Sequence, residues 1–147
     1  MPIDPSASPV PRAEHFAHDA DIGVRGIGSS FDSAFEQAAL ALTAIVTELR
    51  TVRAEKRIAI TCAAPSDALL FVDWLNAVIY HMAVDHMLFA RYRVVIEGGR
   101  LHGEAWGEPV DRMRHRPAVE PKGATYTALK VERQSDGTCV AQCVVDV

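Results

Sequence analysis

The feature that most constrains the fold is a segment from residue 66 to residue 82 whose apolar side chains recur at helical spacing around most of the circumference. These side chains are Leu69, Leu70, Val72, Leu75, Val78, Ile79 and Met82. The residues Pro65, Ser66 and Asp67 precede them, and a serine in this position predicts an N-cap. A helix that is apolar nearly all round is usually buried on most sides. The sequence therefore predicts a central helix that other elements must cover.

The remaining elements are predicted to be one further helix and several strands. Ser30 is predicted to cap a helix that runs to Thr47, with Asp32 and Glu36 near its positive end. Strands are predicted over residues 15–27 (with an interruption around 17–23), 52–63, 88–97, 101–107, 125–133 and 138–147, the last four as two hairpins. This order favours an α+β fold with a mainly antiparallel sheet and two helices packed on one face.

The N-terminal residues 1–13 differ in composition from the rest of the chain. They contain four of its eight prolines and no aromatic residue, which predicts a disordered leader before a single domain over residues 14–147. The leader lacks a basic segment followed by an apolar one, and no apolar run approaches the ~20 residues that cross a bilayer. We therefore expect a cytoplasmic protein with no membrane partner.

The charge distribution bears on a role with nucleic acid. The chain has a formal net charge of -4 and no block of lysine or arginine along the sequence. Arg112, Arg114 and Arg116 lie close together, a pattern more often found in a solvated loop than in an RNA-binding patch. Because phosphate binding needs clustered cations, any RNA is expected to reach this protein only indirectly, through a partner.

An acidic segment, His18-Asp19-Ala20-Asp21, could bind a cation. If it is extended, Asp19 and Asp21 project to the same side, and a cation would relieve the repulsion between them. The alternative is a turn in which the aspartates bond to their own backbone.

The sequence ends on a second acidic segment, with Asp146 next to the main-chain carboxylate of Val147. The two carboxylates offer hard oxygen ligands that suit Mg²⁺ or Ca²⁺ and not zinc. A terminus is usually frayed, but the apolar residues Val144 and Val145 favour a terminal strand anchored in a sheet.

Two further groups of residues are assigned mainly structural roles. Asp73, Asn76 and Tyr80 form a polar seam on the apolar helix, which favours a hydrogen-bond network tied to a neighbouring loop over a catalytic role. The three cysteines, Cys62, Cys139 and Cys143, lack CxxC spacing and are interpreted as buried apolar residues, with a thiol metal site or redox pair as the alternative.

Six segments, taken in order, make the chain similar to the archease family. They are His18-Asp19-Ala20-Asp21-Ile22-Gly23, residues 35–42, Val72-Asp73-Trp74-Leu75-Asn76, residues 103–108, Lys122-Gly123-Ala124-Thr125-Tyr126 and Val144-Val145-Asp146-Val147. The resemblance covers roughly residues 15–147. It departs from the family pattern at Asp19, where the family often has threonine, and at Thr127, where it often has histidine.

The resemblance implies an accessory protein and not an enzyme. An archease promotes guanylylation and turnover of a GTP-dependent RNA ligase in tRNA splicing or RNA repair, and the GTP belongs to the partner ligase. The resemblance also implies that the metal ligands are Asp21, Asp146 and the terminal carboxylate of Val147, with Ca²⁺ or Mg²⁺ as the cofactor.

Two other functions remain open from the sequence. One is a chaperone or modulator of a tRNA-modifying enzyme, which would bind its partner without need of the metal. The other is a small metal-dependent hydrolase in which Asp21, Asp146 and His18 hold a catalytic ion, although the sequence offers no nucleophile or base besides His18.

Overall fold

A computed structural model describes residues 10–147. Over these residues the strands are β1 (Arg12–His18), β2 (Asp21–Gly28), β3 (Lys56–Ala63), β4 (Met87–Glu97), β5 (Arg100–Pro109), β6 (Gly123–Ala124), β7 (Lys130–Arg133) and β8 (Cys139–Asp146). The helices are α1 (Phe31–Val46), α2 (Asp67–Val84) and the single turn α3 (Arg112–His115), with a short 3₁₀ turn at Leu49–Thr51.

The strands form two antiparallel sheets. The five-stranded sheet has the order β1-β2-β8-β6, with β7 also paired to β8, and the three-stranded sheet has the order β3-β5-β4. The α+β class with mainly antiparallel pairing is therefore confirmed. The division into two sheets is a feature that the sequence pattern does not indicate.

Helix α1 lies against both sheets. At Gly26 of β2, an added Cβ would lie 1.9 Å from the carbonyl oxygen of Ala34, so the helix backbone packs directly on this strand. On its other side, the carboxylates of Asp32 and Glu36 accept hydrogen bonds from the main-chain N–H groups of Ile96 (3.1 Å) and Val94 (2.8 Å) in β4. These carboxylates satisfy part of the β4 edge, which explains why the sheet does not continue past β4.

Helix α2 is predicted to be the central helix, but it buries eight of its 18 residues against nine of 16 in α1, so α1 is the more central of the two. The hydroxyl of Ser66 caps it by accepting from the N–H of Leu69, as Ser30 caps α1 through the N–H of Ser33. Trp74 is fully buried, and its indole N–H donates to the carbonyl oxygen of Phe35 at 3.1 Å, which ties α2 to α1. The length and apolar composition of α2 would also suit a membrane span, but eight of its residues are buried in the core.

The prediction of one interrupted strand over residues 15–27 is wrong in one respect. The interruption is the tight turn of a hairpin between β1 and β2, with Asp19 at φ 52. The predicted strand over residues 125–133 is likewise divided, because a turn at residues 126–128 separates β6 from β7. Both fragments still pair with β8.

The predicted leader, residues 1–13, falls mainly on residues outside those described. Of its last residues, Arg12 and Ala13 lie in β1, two positions before the predicted domain boundary. The first strand thus begins earlier than the proline content of the N-terminal residues indicates.

The cysteines behave as the sequence predicts. All three are free thiols, with Cys139 and Cys143 buried and Cys62 half-buried. Burial raises the pKa of Cys143 to about 12, so its thiol stays protonated at neutral pH.

Candidate metal centre

One end of the five-stranded sheet brings the two acidic segments together. In the β2–β8 ladder Ile22 pairs with Val145, so the next positions outward are Asp21 and Asp146. Directly opposed residues of an antiparallel pair project to the same face of the sheet. Asp146 also pairs with Gly123 of β6 on its other side.

A direct contact joins these segments. The main-chain N–H of Val147 donates a hydrogen bond to Oδ1 of Asp21 at 3.2 Å. Asp21 and Val147 are both half-buried, whereas Asp146 is exposed. The prediction that the terminal strand is anchored in a sheet is confirmed, since β8 lies between β2 and the β6–β7 segments.

A side chain from α2 fixes the other border of this site. Oδ1 of Asn76 accepts from the N–H of Ala124 at 2.8 Å, and its Nδ2 donates to the carbonyl oxygen of Ala124 at 3.3 Å. This pair of bonds holds β6 in place next to Asp146. The interpretation of Asn76 as a structural link between the helix and a loop is confirmed.

The rest of the predicted polar seam does not take part in that link. Asp73 is exposed and Tyr80 is 57% exposed, so the expectation that they share a hydrogen-bond network with Asn76 is wrong. Because Asp73 faces water, it needs no partner within the protein.

Of the two conformations that the sequence leaves open for the N-terminal acidic segment, the structure shows the turn, at Asp19. Asp19 lies in the hairpin turn with its side chain 93% exposed, so Asp19 and Asp21 do not project side by side from one strand. His18 pairs with Asp21 across the hairpin, but its Nδ1 lies 3.8 Å from the Asp19 carboxylate.

The donor atoms at this site are hard oxygens. Among residues 10–147, no three side chains of His, Cys, Asp or Glu cluster at a spacing that could hold a metal ion. A cation held here would therefore draw on main-chain oxygen in addition to the carboxylates of Asp21 and Asp146. Such a donor set fits Ca²⁺ or Mg²⁺.

Sequence reasoning missed a second polar cluster, which surrounds Glu108 at the end of β5. Arg114 donates two hydrogen bonds of 2.7 Å to the two carboxylate oxygens of Glu108. The main-chain N–H of Arg53 (2.6 Å) and Nε2 of His115 (3.1 Å) also contact this carboxylate. The hydrogen bonds from Arg114 are the main cause that lowers the pKa of Glu108 to about 2.

This cluster corrects the interpretation of Arg112, Arg114 and Arg116 as a solvated loop for Arg114 alone, since Arg112 and Arg116 are exposed. Glu108 is 4% exposed and His115 is 3% exposed, while Arg114 is half-buried. Asp111 caps the short helix α3 and thereby directs Arg114 and His115 toward Glu108. The distance of Glu108 from its partners could not be read from the spacing of these residues along the chain.

The sequence matches the family model described as "Archease protein family (MTH1598/TM1083)" over residues 14–147. A protein named archease from Pyrococcus furiosus is 36% identical over 140 residues, which span 91% of this chain and 97% of that protein. A protein of the same name from Methanopyrus kandleri is 35% identical over 138 residues, which span 91% of this chain and 98% of that protein.

Solved structures agree with these matches. The solution structure of Methanobacterium thermoautotrophicum protein 1598 has a TM-score of 0.78 and 25% identity, and the match covers 92% of this chain and 98% of that one. The crystal structure of a Thermotoga maritima archease, described as a possible chaperone, has a TM-score of 0.60 with 18% identity over 99% of this chain and 100% of that one. The second likeness bears on the fold alone.

Proposed function

This chain belongs to the archease family, and we propose that it is a metal-binding accessory protein that activates a GTP-dependent RNA ligase in tRNA splicing or RNA repair. In this role it promotes guanylylation and turnover of the ligase, and the ligase binds the GTP. The observation that carries the proposal is the hydrogen bond from the N–H of Val147 to the carboxylate of Asp21. That contact places the two acidic segments implied by the family resemblance at one end of one sheet.

The proposed ligands are Asp21, Asp146 and the terminal carboxylate of Val147. All are oxygen donors, and carboxylates in this number suit Ca²⁺ or Mg²⁺. A bound ion supplies a positive charge that offsets the repulsion between the carboxylates and can attract phosphate or carboxylate oxygens of the partner.

The neighbouring strands contribute by fixing the positions of these ligands. Asp21 begins β2, and Asp146 ends β8 between β2 and β6. The N–H of Lys122 donates to the main-chain oxygen of Asp146 at 2.8 Å, which restrains the chain end from the side opposite to Asp21. Ligands that are held before binding lose less conformational entropy when the cation arrives.

To activate the ligase, this site must bind two conformational states of the ligase with different affinities. An activator shifts a ligase toward the form competent for nucleotide transfer only if it contacts that form more favourably. The exposed carboxylate of Asp146 is accessible to such a partner.

Single-turnover guanylylation of the cognate ligase tests the proposal, with and without this protein. We expect Asp21→Ala and Asp146→Ala to lower the stimulation about tenfold or more, as loss of groups that hold a metal commonly does. Glu132→Gln is the matched control, because Glu132 is an exposed carboxylate on β7, toward the opposite end of the same sheet. Unchanged stimulation by both alanine variants would contradict the proposed role of the site.

A chelator separates the proposal from a role as a chaperone or modulator of a tRNA-modifying enzyme. The proposal predicts that stimulation of the ligase falls when divalent cations are removed from this protein before mixing. Stimulation that persists after chelation, and in both alanine variants, would favour partner binding without metal.

A further inference from the structure

We infer that the outward face of the three-stranded sheet, centred on Trp106, binds a single-stranded segment of RNA. This inference does not rest on the proposed function, because it concerns another sheet and no ligase is needed to test it. It also departs from the expectation that RNA reaches this protein only indirectly.

The outward face is defined by alternation along the strands. In β5 the positions of Leu101, Gly103 and Ala105 face the core and are buried, whereas the residues that alternate with them are exposed or half-buried. The intervening residues are Arg100, His102, Glu104 and Trp106, and their partners across the ladders are Ala63, Thr61, Ala59 and Arg57 in β3 and Glu97, Val95, Arg93 and Arg91 in β4. We call this set the outer sheet face.

Positive charge is concentrated on the outer sheet face. Its arginines are Arg57, Arg91, Arg93 and Arg100, against the carboxylates of Glu97 and Glu104. The chain as a whole has a net charge of -4, so the excess of arginine here is opposite in sign to the average surface. This cluster cannot be predicted from the sequence, because strand pairing, and not proximity along the chain, brings the arginines together.

Trp106 lies at the centre of one row of this face. Arg57 and Arg91 are its direct partners on the two neighbouring strands, and the guanidinium carbon of Arg91 lies 4.1 Å from the centroid of the indole. Unlike Trp74, which is fully buried, Trp106 is half-exposed. An indole and a stacked guanidinium are two planar surfaces on which unpaired bases stack.

Arg57 in this row and Arg93 in the next row are held in place with their side chains still accessible. Glu104 forms an ion pair with Arg57 and lies 3.8 Å from Arg93. The side chains of Arg57 and Arg93 nevertheless remain 54% and 68% exposed. They can therefore contact phosphates that pass on either side of the central strand.

This combination favours nucleic acid over an acidic protein. An acidic protein surface would use the arginines but has no need of a half-exposed indole between them, whereas single-stranded nucleic acid uses both charge and stacking. We commit to RNA because Thr61 and His102, an exposed pair in the next row but one, carry polar groups that can hydrogen-bond to a 2′-hydroxyl group.

The test is fluorescence anisotropy of a short labelled single-stranded RNA titrated with this protein alone at low salt. We expect saturable binding that weakens as salt is raised. Trp106→Ala is expected to weaken binding about fivefold or more, and Trp106→Phe to restore most of it because a ring remains for stacking. Arg91→Ala is expected to reduce both the affinity and the steepness of the salt dependence.

Controls make each outcome decisive. Arg50→Ala removes an exposed arginine outside the outer sheet face and is expected to leave binding unchanged. Thermal unfolding of each variant shows whether a loss of binding reflects loss of the fold.

A DNA oligomer of the same sequence is expected to bind more weakly, and equal affinity would overturn the commitment to RNA. The inference as a whole is overturned by absence of RNA binding, or by wild-type affinity in both Trp106→Ala and Arg91→Ala. An acidic polypeptide that binds as tightly as the RNA, with no effect of Trp106→Ala on either, would point instead to an acidic protein partner.

Discussion

Asp21 and Val147, separated by 126 positions, are joined by a hydrogen bond from the main-chain N–H of Val147 to Oδ1 of Asp21. The bond lies just beyond the end of the β2–β8 ladder, whose last pair is Ile22 and Val145. It gives the chain end a defined position at the border of the sheet. The same register places Asp146 beside Asp21.

The link between Asn76 and Ala124 predicts a local effect at this border. Asn76→Ala removes two hydrogen bonds to the backbone of β6 and is expected to lower the free energy of unfolding by about 1–2 kcal/mol. The amide hydrogen of Ala124 should exchange faster in that variant, as measured by NMR. Asn76→Asp is the matched control, since its carboxylate can still accept from this amide. Unchanged exchange at Ala124 in Asn76→Ala would show that the side chain does not hold β6.

The buried carboxylate of Glu108 predicts a dependence of stability on pH. At neutral pH, Glu108→Gln is expected to lower the free energy of unfolding by about 2–3 kcal/mol, because Arg114 loses its charged partner. The folded-state pKa of about 2 lies below the ordinary value of 4.5. The contribution of the ionised carboxylate is therefore complete above about pH 5 and is lost as the pH falls through 4.5 toward 2.

Urea unfolding of the wild-type protein and Glu108→Gln at several pH values tests this dependence. The difference between the two proteins should narrow in acid. Glu48→Gln removes an exposed carboxylate that pairs with Arg50 and should change stability by less than about 0.5 kcal/mol. A difference between wild type and Glu108→Gln that stays constant down to pH values near 2 would contradict the assigned role of the carboxylate.

The close approach of α1 to β2 predicts that Gly26 cannot accept a larger side chain. In Gly26→Ala the new Cβ would lie 1.9 Å from the oxygen of Ala34 and 2.4 Å from the nitrogen of Ala38, so α1 must move. We expect a loss of about 3 kcal/mol in the free energy of unfolding, measured by urea denaturation. In Gly123→Ala the nearest atom is 3.6 Å away, and the change should stay within about 0.5 kcal/mol. Equal stability of the two variants would mean that α1 packs on β2 less closely than the structure indicates.

The elements that the sequence predicts well are those whose signals are local. Ser30 and Ser66 cap their helices as predicted, and the Gly98-Gly99 turn joins β4 to β5. In each case the residues that determine the structure are within four positions of one another. Apolar periodicity likewise identifies α2 as a helix, although α1 is the more buried of the two.

Features that depend on contacts between distant segments could not be predicted from the sequence. The partial capping of the β4 edge depends on Asp32 and Glu36, whose carboxylates accept from N–H groups of β4 about sixty positions later. The cluster around Glu108 and the row of Arg57, Trp106 and Arg91 arise from strand pairing. The spacing of residues along the chain does not indicate which strands pair, so these contacts cannot be predicted from it.

The candidate metal centre depends both on local sequence signals and on contacts between distant segments. The residue types at Asp21 and Asp146 identify hard-oxygen donors, and the family resemblance joins them with Val147. Their proximity depends on the register of β2 against β8, which sequence reasoning could only infer. For Asp19 the sequence leaves an extended segment and a turn open, and the structure shows the turn.

Calorimetric titration of Ca²⁺ and of Mg²⁺ into the metal-free protein tests the central claim most directly. Asp21→Asn removes the charge but keeps an oxygen that can accept from the N–H of Val147, so it tests cation binding without removing the anchor of the chain end. The account predicts one saturable site in the wild type and in the control Glu132→Gln, and affinity at least about tenfold weaker in Asp21→Asn. Wild-type affinity in Asp21→Asn, or no binding of either cation to the wild-type protein, would contradict it.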